Sequence, residues 1–531
     1  MKKIFLSVFV CIFFLSGCDL LGLFVAEDNQ LVSQTVTVEG RGQTYLIKLN
    51  PTSNIVKGQY SGSARDAISE NIENPNTSTD YFIQELNRKA REGLCSSIAR
   101  SAGSDSTVKS GYSTRTFNET ENFWSYVEMQ GNEKIPGKVN STKQYETEHC
   151  IIYSDNSNSS ITYQQCKNIG DKFENCFALE TAVLGSPYYN TYNSTFFVPC
   201  NQKIIILVSD LYGDAVPNQQ TGTIGYFYSG DLYNQTFLNN STIFNKGKRE
   251  DANDFIHSNQ CLIFYIDSQF LNERPLFTYS TLVHEFNHMI NYVVKTLKNM
   301  NNVSNINDGL SYVYDVWFTE MLSMTTEDMF QYYLNITDSS SLPKSRLQNF
   351  SINYHYGFKN FPQLEGNNDT AGIGYANAYA FGAFLARNFG GIELISEIAK
   401  SQYVNEEAIT KALQKVNNNS SYDFNYALGK FTLCVLNTAE NDDFSLNRSV
   451  GFSTISSMNV SNTDKLGFSA IDITGTITQS GTTYALPLTN LKYTVDVYPY
   501  GFTVHYIGNG ISSFVLTTYK NNGLDYYYFV K

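Results

Sequence analysis

The stretch from Thr281 to Ile290 constrains this chain more than any other, because it places two histidines four positions apart with a glutamate directly after the first. Apolar residues recur around it at helical spacing, which predicts an amphipathic helix. They are Leu282, Phe286, Met289, Ile290 and Val293. Residues four apart on a helix have Cβ atoms roughly 5 to 6 Å apart, so His284 and His288 can bind one metal ion. Glu285 would then lie beside a water bound to that ion.

Chance does not explain this HExxH pattern. With 6 histidines and 50 acidic residues in 531, a random chain would contain it, with either acid, roughly 0.006 times. A structural zinc site usually recruits cysteine and fills all four coordination positions, and the predicted helix carries no cysteine. The pattern therefore favours a catalytic metal site.

A second helical pattern, from Asp315 to Phe330, offers the missing ligand. Two histidines leave a zinc ion one protein ligand short, and a carboxylate is the usual third. Glu320 is the first candidate. Glu327, two turns later on the same face, is the alternative, either as a ligand or as a partner that orients a histidine. Asp315 and Asp328 are further candidates.

These motifs resemble the hyicolysin family of neutral zinc metallopeptidases and, more broadly, the gluzincins. The segments that carry the resemblance are 284–292 (HEFNHMINY), 317–328 (WFTEMLSMTTED) and Gly225-Tyr-Phe, all between Lys203 and Gly391. The resemblance implies an α+β, thermolysin-like catalytic core with a mixed sheet and a helical subdomain. It also implies one zinc ion, Zn(2+), held by His284, His288 and Glu320, with Glu285 as catalytic base. Many gluzincins carry an acid four residues after the ligand glutamate, where this chain has Met324.

A third segment, Gly374 to Gly391, resembles the tyrosine-bearing helix of gluzincin aminopeptidases. On that match Tyr375 takes the position of the phenol that donates a hydrogen bond to the developing oxyanion. Tyr379, one turn later, could substitute for it. The chain has 38 tyrosines, so a packing role for either residue is the alternative.

The first residues predict export. Two lysines precede a short apolar run, Ile4 to Leu15, and residues 1–17 are therefore predicted to be a signal peptide, because the run is too short to span a membrane. Leu15-Ser-Gly-Cys18 resembles the lipobox of bacterial lipoproteins, which implies that Cys18 is lipidated. An ordinary signal peptide cleaved nearby is the alternative.

Composition and patterning predict four regions. They are the signal peptide 1–17, an N-terminal β-rich accessory region 18–185, a catalytic domain 186–440 and a C-terminal β-rich domain 441–531. Alternating stretches at Val32–Glu39 and Gln43–Lys48, separated by Gly40 and Gly42, predict a hairpin. Apolar runs at Lys203–Val208 and Cys261–Ile266 predict buried strands, the second a possible site for an added peptide strand.

The cysteines of the chain allow two interpretations, disulfides or unpaired thiols. Seven cysteines follow Cys18. Four of them cluster and suggest two disulfides in an exported chain, namely Cys150, Cys166, Cys176 and Cys200. Buried unpaired thiols are the alternative.

These features together predict an exported, lipid-anchored zinc metalloendopeptidase in a bacterial cell envelope, on the outer membrane surface or the periplasmic face. Its predicted partners are protein or peptide substrates and, through the lipid, a membrane. The formal charge of −13 argues against nucleic acid. The rival hypothesis is a surface-binding lipoprotein, an adhesin with a non-catalytic protease core. The choice between endopeptidase and exopeptidase is open at this point.

Overall fold

A computed structural model describes residues 2–4, 31–56, 87, 91, 108–110, 116–130, 133–189, 191–193, 196–199, 202–219, 222–240, 257–300, 313–360, 371–451, 466–479, 481–489, 495–519 and 523–531. The strands are β1 (Lys2–Ile4), β2 (Leu31–Thr37), β3 (Gln43–Leu49), β4 (Val108–Ser110), β5 (Thr120–Gln130), β6 (Glu133–Glu146), β7 (Cys150–Asp155), β8 (Thr191–Asn193), β9 (Ile204–Ser209), β10 (Gly225–Tyr226), β11 (Ile263–Asp267), β12 (Val450–Gly451), β13 (Gly467–Phe468), β14 (Gly475–Gln479), β15 (Thr482–Leu486), β16 (Phe502–Asn509), β17 (Ser513–Tyr519) and β18 (Asp525–Val530).

The α-helices are α1 (Tyr163–Leu184), α2 (Gln235–Asn240), α3 (Ser268–Glu273), α4 (Pro275–Asn291), α5 (Val316–Phe330), α6 (Leu347–Asn353), α7 (Ala371–Phe389), α8 (Gly391–Lys400), α9 (Asn405–Val416) and α10 (Phe424–Phe431). Helix α4 continues into a π-helical segment, Tyr292–Leu297, and a last turn, Lys298–Met300. Short 3₁₀ helices lie at Pro217–Gln219, Ser229–Leu232, Ser339–Ser341, Pro343–Arg346, Tyr354–Tyr356 and Thr432–Val435.

A six-stranded sheet in the order β10-β11-β9-β7-β6-β5 forms the centre of the fold. Strands β7, β9 and β11 are parallel and almost entirely buried, which explains why they are continuous apolar runs in the sequence. Strand β10 is added on one side, and β6 and β5 on the other, all antiparallel to their neighbours. The prediction of an α+β fold with a mixed sheet is therefore confirmed, while its thermolysin-like detail stays a prediction.

The central sheet crosses the predicted domain limit at residue 185. Strands β5 to β7 precede that limit and β9 to β11 follow it, yet all six are hydrogen-bonded into one sheet. Helix α1 belongs to the same unit, because the rings of Phe173 and Phe177 lie 4.9 and 5.5 Å from the ring of Phe286 on α4. Residues 120–130 and 133–184 thus belong to the core that supports the HExxH helix, and assigning them to an accessory region was wrong.

The predicted N-terminal hairpin is also wrong, although both of its strands exist. Strand β2 pairs with β17, and β3 lies between β16 and β18, in each case antiparallel. The reason is burial: Ile47 and Leu49 of β3 are almost fully enclosed, and strands on both sides satisfy the backbone groups of β3. Local turn residues favour a hairpin, but the non-local pairing encloses the apolar side chains of Ile47 and Leu49, and such burial is favourable. The N-terminal strands are therefore part of the C-terminal β region.

The predicted disulfides are not formed by the cysteines that the structure describes. Cys150, Cys166 and Cys176 are buried free thiols, as is Cys434. Three of the four clustered cysteines are thus unpaired, and the fourth, Cys200, lies outside the described residues. Burial also raises the pKa of the Cys150 thiol to about 12, so it stays protonated and unreactive.

The predicted lipidation site, Cys18, lies outside the described residues, as does the signal peptide apart from β1. Strand β1 pairs with β18. Among the helices of the described residues, none combines the length and the apolar character needed to cross a bilayer.

Candidate metal centre

The HExxH helix, α4, lies between the central sheet and α5. Pro275 occupies its first turn, where the missing N–H costs no intrahelical bond, so the helix begins directly after α3. Every residue from Ser280 to Asn291 is buried. The apolar residues of α4 pack on α1 and the strands, as the ring of Phe286 shows. The two histidines of the motif consequently face α5.

Helices α4 and α5 run antiparallel and bring three predicted ligands together. The two histidine Nε2 atoms, of His284 and His288, are 3.0 Å apart. One carboxylate oxygen of Glu320 lies 3.3 Å from Nε2 of His284, and the other lies 3.4 Å from Nε2 of His288. The three ligand atoms therefore surround a single point, as a shared cation requires.

The donor set of this cluster fits a divalent cation. Glu320 is fully buried, and neither of its carboxylate oxygens receives a hydrogen bond from the residues that the structure describes. A buried carboxylate without donors is costly unless a cation compensates it. Burial opposes ionisation of Glu320, but His288 and His284 outweigh it and hold the pKa of Glu320 below its ordinary value. Two imidazoles and one ionised carboxylate form a typical three-ligand zinc site with one open position.

Glu327 contacts the opposite nitrogen of the first histidine. Its carboxylate lies 2.7 Å from Nδ1 of His284, and its other oxygen accepts a hydrogen bond from the hydroxyl of Ser280. A proton on Nδ1 leaves Nε2 free to bind a metal. The sequence left two glutamates as alternatives. Glu320 lies at the Nε2 atoms of both histidines, whereas Glu327 lies at Nδ1, on the other side of the His284 ring. Met324, where many gluzincins have an acid, takes no part in these contacts.

The second histidine has partners that sequence reasoning missed. Nδ1 of His288 lies 2.8 Å from the hydroxyl of Thr319 and 3.2 Å from that of Ser323. Ser323 also donates to Asn287, whose amide donates to Thr326. These contacts fix α5 against α4 and orient the imidazole. Their only sequence signal is helical spacing around Glu320, which is too general to single them out.

Glu285 lies beside the edge strand of the sheet. A Cβ atom at Gly225 on β10 would lie 3.3 Å from Cγ of Glu285 and only 2.8 Å from both the Tyr265 carbonyl oxygen and Cγ2 of Thr281. Glycine is therefore required for this close approach. Strand β11, which the sequence offered as a site for an added peptide strand, is paired on both sides, so that expectation is wrong. Among the described strands, β10 is the edge strand on this side of the sheet.

The two candidate tyrosines lie on α7, which packs closely on α5. Tyr375 is buried, and the guanidinium carbon of Arg346 lies 5.1 Å from the centre of its ring. Burial and the nearby charge of Asp328 raise the pKa of Tyr379 well above its ordinary value. Asp328 itself pairs with Arg387 at 2.9 Å, so Tyr379 and Asp328 belong to the contact between the two helices. The oxyanion role of Tyr375 stays a prediction.

A second cluster of histidine and acidic residues lies elsewhere among the described residues, formed by Glu148, His149 and Glu174. Glu174 accepts a hydrogen bond from the backbone N–H of His149 and lies 2.6 Å from its Nδ1. The cluster is partly exposed, and Glu174 already accepts a hydrogen bond from the backbone of His149. Among the described residues it lacks the fully buried carboxylate without a hydrogen-bond donor that marks the first site.

The sequence is similar to a known metalloprotease. It is 29% identical over 279 residues to the neutral metalloprotease ShpI of Staphylococcus hyicus, an alignment that covers 48% of this chain and 50% of that protein. The chain thus matches about half the length of this relative. No protein-family profile matches the sequence. The similarity and the geometry of the site both support the general class of metalloproteases.

Proposed function

We propose that this chain is an exported, lipid-anchored zinc metalloendopeptidase. The observation that carries the proposal is the convergence of His284, His288 and Glu320 with no hydrogen bond to either oxygen of Glu320 among the described residues. A protein that only binds a surface has no need to keep an ionised carboxylate buried between two imidazoles, at a cost of several kcal/mol before a cation binds. The similarity to a neutral metalloprotease supports the same choice.

In this proposal His284, His288 and Glu320 hold one zinc ion. When bound, zinc supplies a Lewis acid that polarises the substrate carbonyl and lowers the pKa of its water toward about 7. Glu285 accepts the proton of the attacking water and returns it to the leaving amine. Glu327 keeps the proton of His284 on Nδ1, and Thr319 fixes the ring of His288. Tyr375 donates a hydrogen bond to the developing oxyanion.

The decisive experiment compares Glu285→Gln with Glu320→Gln. We expect Glu285→Gln to bind zinc stoichiometrically but to lose hydrolysis of an unfolded protein such as casein, because only the proton acceptor is removed. Glu320→Gln should lose zinc, because a ligand is removed. Zinc content by mass spectrometry and casein hydrolysis are measured on both variants. Retained hydrolysis by Glu285→Gln, or full zinc content in Glu320→Gln, would contradict the proposal.

The lipid anchor is a separate part of the proposal. It rests on the sequence Leu15-Ser-Gly-Cys18 alone. Expression of the full chain in a bacterial host should give a membrane-bound form that partitions into detergent, and Cys18→Ser should abolish that partition. Unchanged partition of the Cys18→Ser variant would refute the lipid anchor and leave the peptidase assignment intact.

A further inference from the structure

A buried ion pair joins α5 to α7 directly beside Glu327 in the chain. The guanidinium of Arg387 on α7 lies 2.9 Å from a carboxylate oxygen of Asp328 on α5. Each of these two residues is only 2% exposed. A buried charge that loses its partner is strongly destabilising, so the two side chains stay together in the folded chain. The ion pair therefore fixes the last turns of α5 against α7.

The position of the Arg387 guanidinium is itself fixed by backbone carbonyls. Its Nε and Nη2 donate to the carbonyl of Ser469 at 3.0 and 2.7 Å, and its Nη1 donates to the carbonyl of Ala383 at 3.2 Å. The guanidinium carbon also lies 5.5 Å from the centre of the Phe468 ring. Ser469 directly follows β13, so the C-terminal β region determines where Arg387 presents its charge. Lysine cannot reproduce this planar set of donors.

Close packing between α5 and α7 supports the ion pair from one turn earlier. A Cβ atom at Gly382 on α7 would lie 2.2 Å from Oγ1 of Thr325 and 2.7 Å from Cγ of Met321, both on α5. No side chain larger than hydrogen fits between the two helices at this point. The contact at Gly382 fixes the middle of α5, and the Asp328–Arg387 pair fixes α5 near its end.

The residue next to Asp328 faces the other neighbour of α5. Consecutive residues of a helix are about 100° apart around its axis, so Glu327 faces α4 while Asp328 faces α7. The carboxylate of Glu327 lies 2.7 Å from Nδ1 of His284. Such a hydrogen bond is weakened once the two atoms separate by about 0.5 Å. Because Glu327 and Asp328 share a turn of backbone, a contact that fixes Asp328 also keeps Glu327 within reach of the imidazole.

We propose that Arg387 is a positioning residue of the metal centre. It binds Asp328 on the α7 side of α5 and thereby holds Glu327 against His284. Its own position depends on the carbonyl of Ser469, so zinc affinity depends on a region that lies beyond the predicted catalytic domain. This inference rests on the proposed function, in which the two histidines of the HExxH motif bind zinc.

The first measurement is the zinc affinity of the full chain, by competition against a chromophoric chelator. Arg387→Lys keeps the positive charge but loses the planar donors, and we expect it to bind zinc about fivefold more weakly than the wild type. This loss is smaller than that for a direct partner of a ligand, because Arg387 acts at one remove. An unchanged zinc affinity of Arg387→Lys would overturn the inference.

Arg448→Lys is the matched control. Arg448 forms an ion pair of the same length, 2.9 Å, with Asp443, whose side chain is 87% exposed. An exposed pair of this kind contributes little, so the zinc affinity of Arg448→Lys should equal that of the wild type. An equal loss in Arg448→Lys and Arg387→Lys would show that the effect is not specific to the buried pair, and would overturn the inference.

A double-mutant cycle separates positioning from general support of the fold. If Arg387 acts through Glu327, Arg387→Lys should lower zinc affinity less than about 1.5-fold in a Glu327→Leu background, where no acceptor for His284 remains. An equal loss of affinity with and without Glu327 would overturn the positioning role. A purely structural role would lower the Tm of the metal-free chain in both backgrounds and leave zinc affinity unchanged in both.

Asp328→Asn provides the same test if Arg387→Lys fails to fold. It keeps the shape of the side chain and removes its charge, and it should also lower zinc affinity about fivefold, again only when Glu327 is present. Failure of the wild type to bind zinc would refute the proposed function. Normal zinc binding by the wild type, with unchanged affinity in Arg387→Lys or Asp328→Asn, would overturn this inference alone.

Discussion

Replacing Glu327 with glutamine tests how the first histidine is oriented. Glu327 forms a charge-assisted hydrogen bond of 2.7 Å with Nδ1 of His284, inside a buried site. The glutamine side chain could still accept that hydrogen bond, but without the negative charge, and charge-assisted bonds are roughly twice as strong as neutral ones. Loss of such a partner typically lowers metal affinity 10- to 100-fold. We expect the lower end, about tenfold or about 1.4 kcal/mol, because the acceptor remains.

The assay is competition for zinc against a chromophoric chelator at fixed pH. Glu327→Leu, which removes the acceptor as well, should approach the upper end of about 100-fold. Glu397→Gln is the control, because Glu397 forms an exposed ion pair with Lys415 and should leave zinc affinity unchanged. An affinity change below about twofold in Glu327→Gln would refute the orientation argument. Complete loss of zinc in that variant, with zinc retained in Glu320→Gln, would show that the two glutamates have exchanged roles.

Two further predictions concern the same site. Gly225→Ala should lower the free energy of unfolding by about 1–3 kcal/mol and reduce casein hydrolysis, because the added methyl group would lie 2.8 Å from the Tyr265 carbonyl oxygen. An unchanged free energy of unfolding in chemical denaturation, together with unchanged casein hydrolysis, would contradict this. Zinc affinity should fall as pH is lowered, because protons compete with zinc for His284. Burial opposes the charged form of His284, but Glu320 and Glu327 outweigh burial and raise the pKa of His284 well above its ordinary value. A raised pKa of His284 stabilises the metal-free fold at low pH, and this stabilisation is lost as the pH rises through that pKa. The increase in Tm on adding zinc should therefore grow with pH, and an increase that is the same at every pH would contradict the argument.

Local sequence signals predicted those parts of the fold that depend on local structure. The HExxH helix, α5 and strands β9 and β11 each carry a periodicity or an apolar run that a single segment displays. Helix α1 carries one local signal, the capping box that Thr162 and Gln165 form at its start. The pairing of β3 with β16 and β18 joins residues more than 450 positions apart, and no local pattern specifies such a partner.

The limits of prediction at the site follow from helix geometry. Glu320 and Glu327 are seven residues apart, so they lie on nearly the same face of α5 and about 10 Å apart along its axis. Periodicity alone cannot decide which of them reaches the Nε2 atoms. The structure separates them because α5 runs antiparallel to α4, so that residues late in α5 meet residues early in α4.

The antiparallel arrangement also explains how the site can lack an acid at position 324. Ser280 and His284 lie one turn apart on α4, and both contact Glu327 near the end of α5. His288, one turn later, meets Thr319 nearer the start of α5. The acid beside His284 therefore follows Glu320 in the chain. A long side chain that is fixed by a hydroxyl can reach His284 from the next turn of α5. Glu327 meets both conditions, because glutamate is one methylene longer than aspartate and the hydroxyl of Ser280 donates to the second oxygen of Glu327. Position 324 is therefore available for a buried apolar residue, Met324.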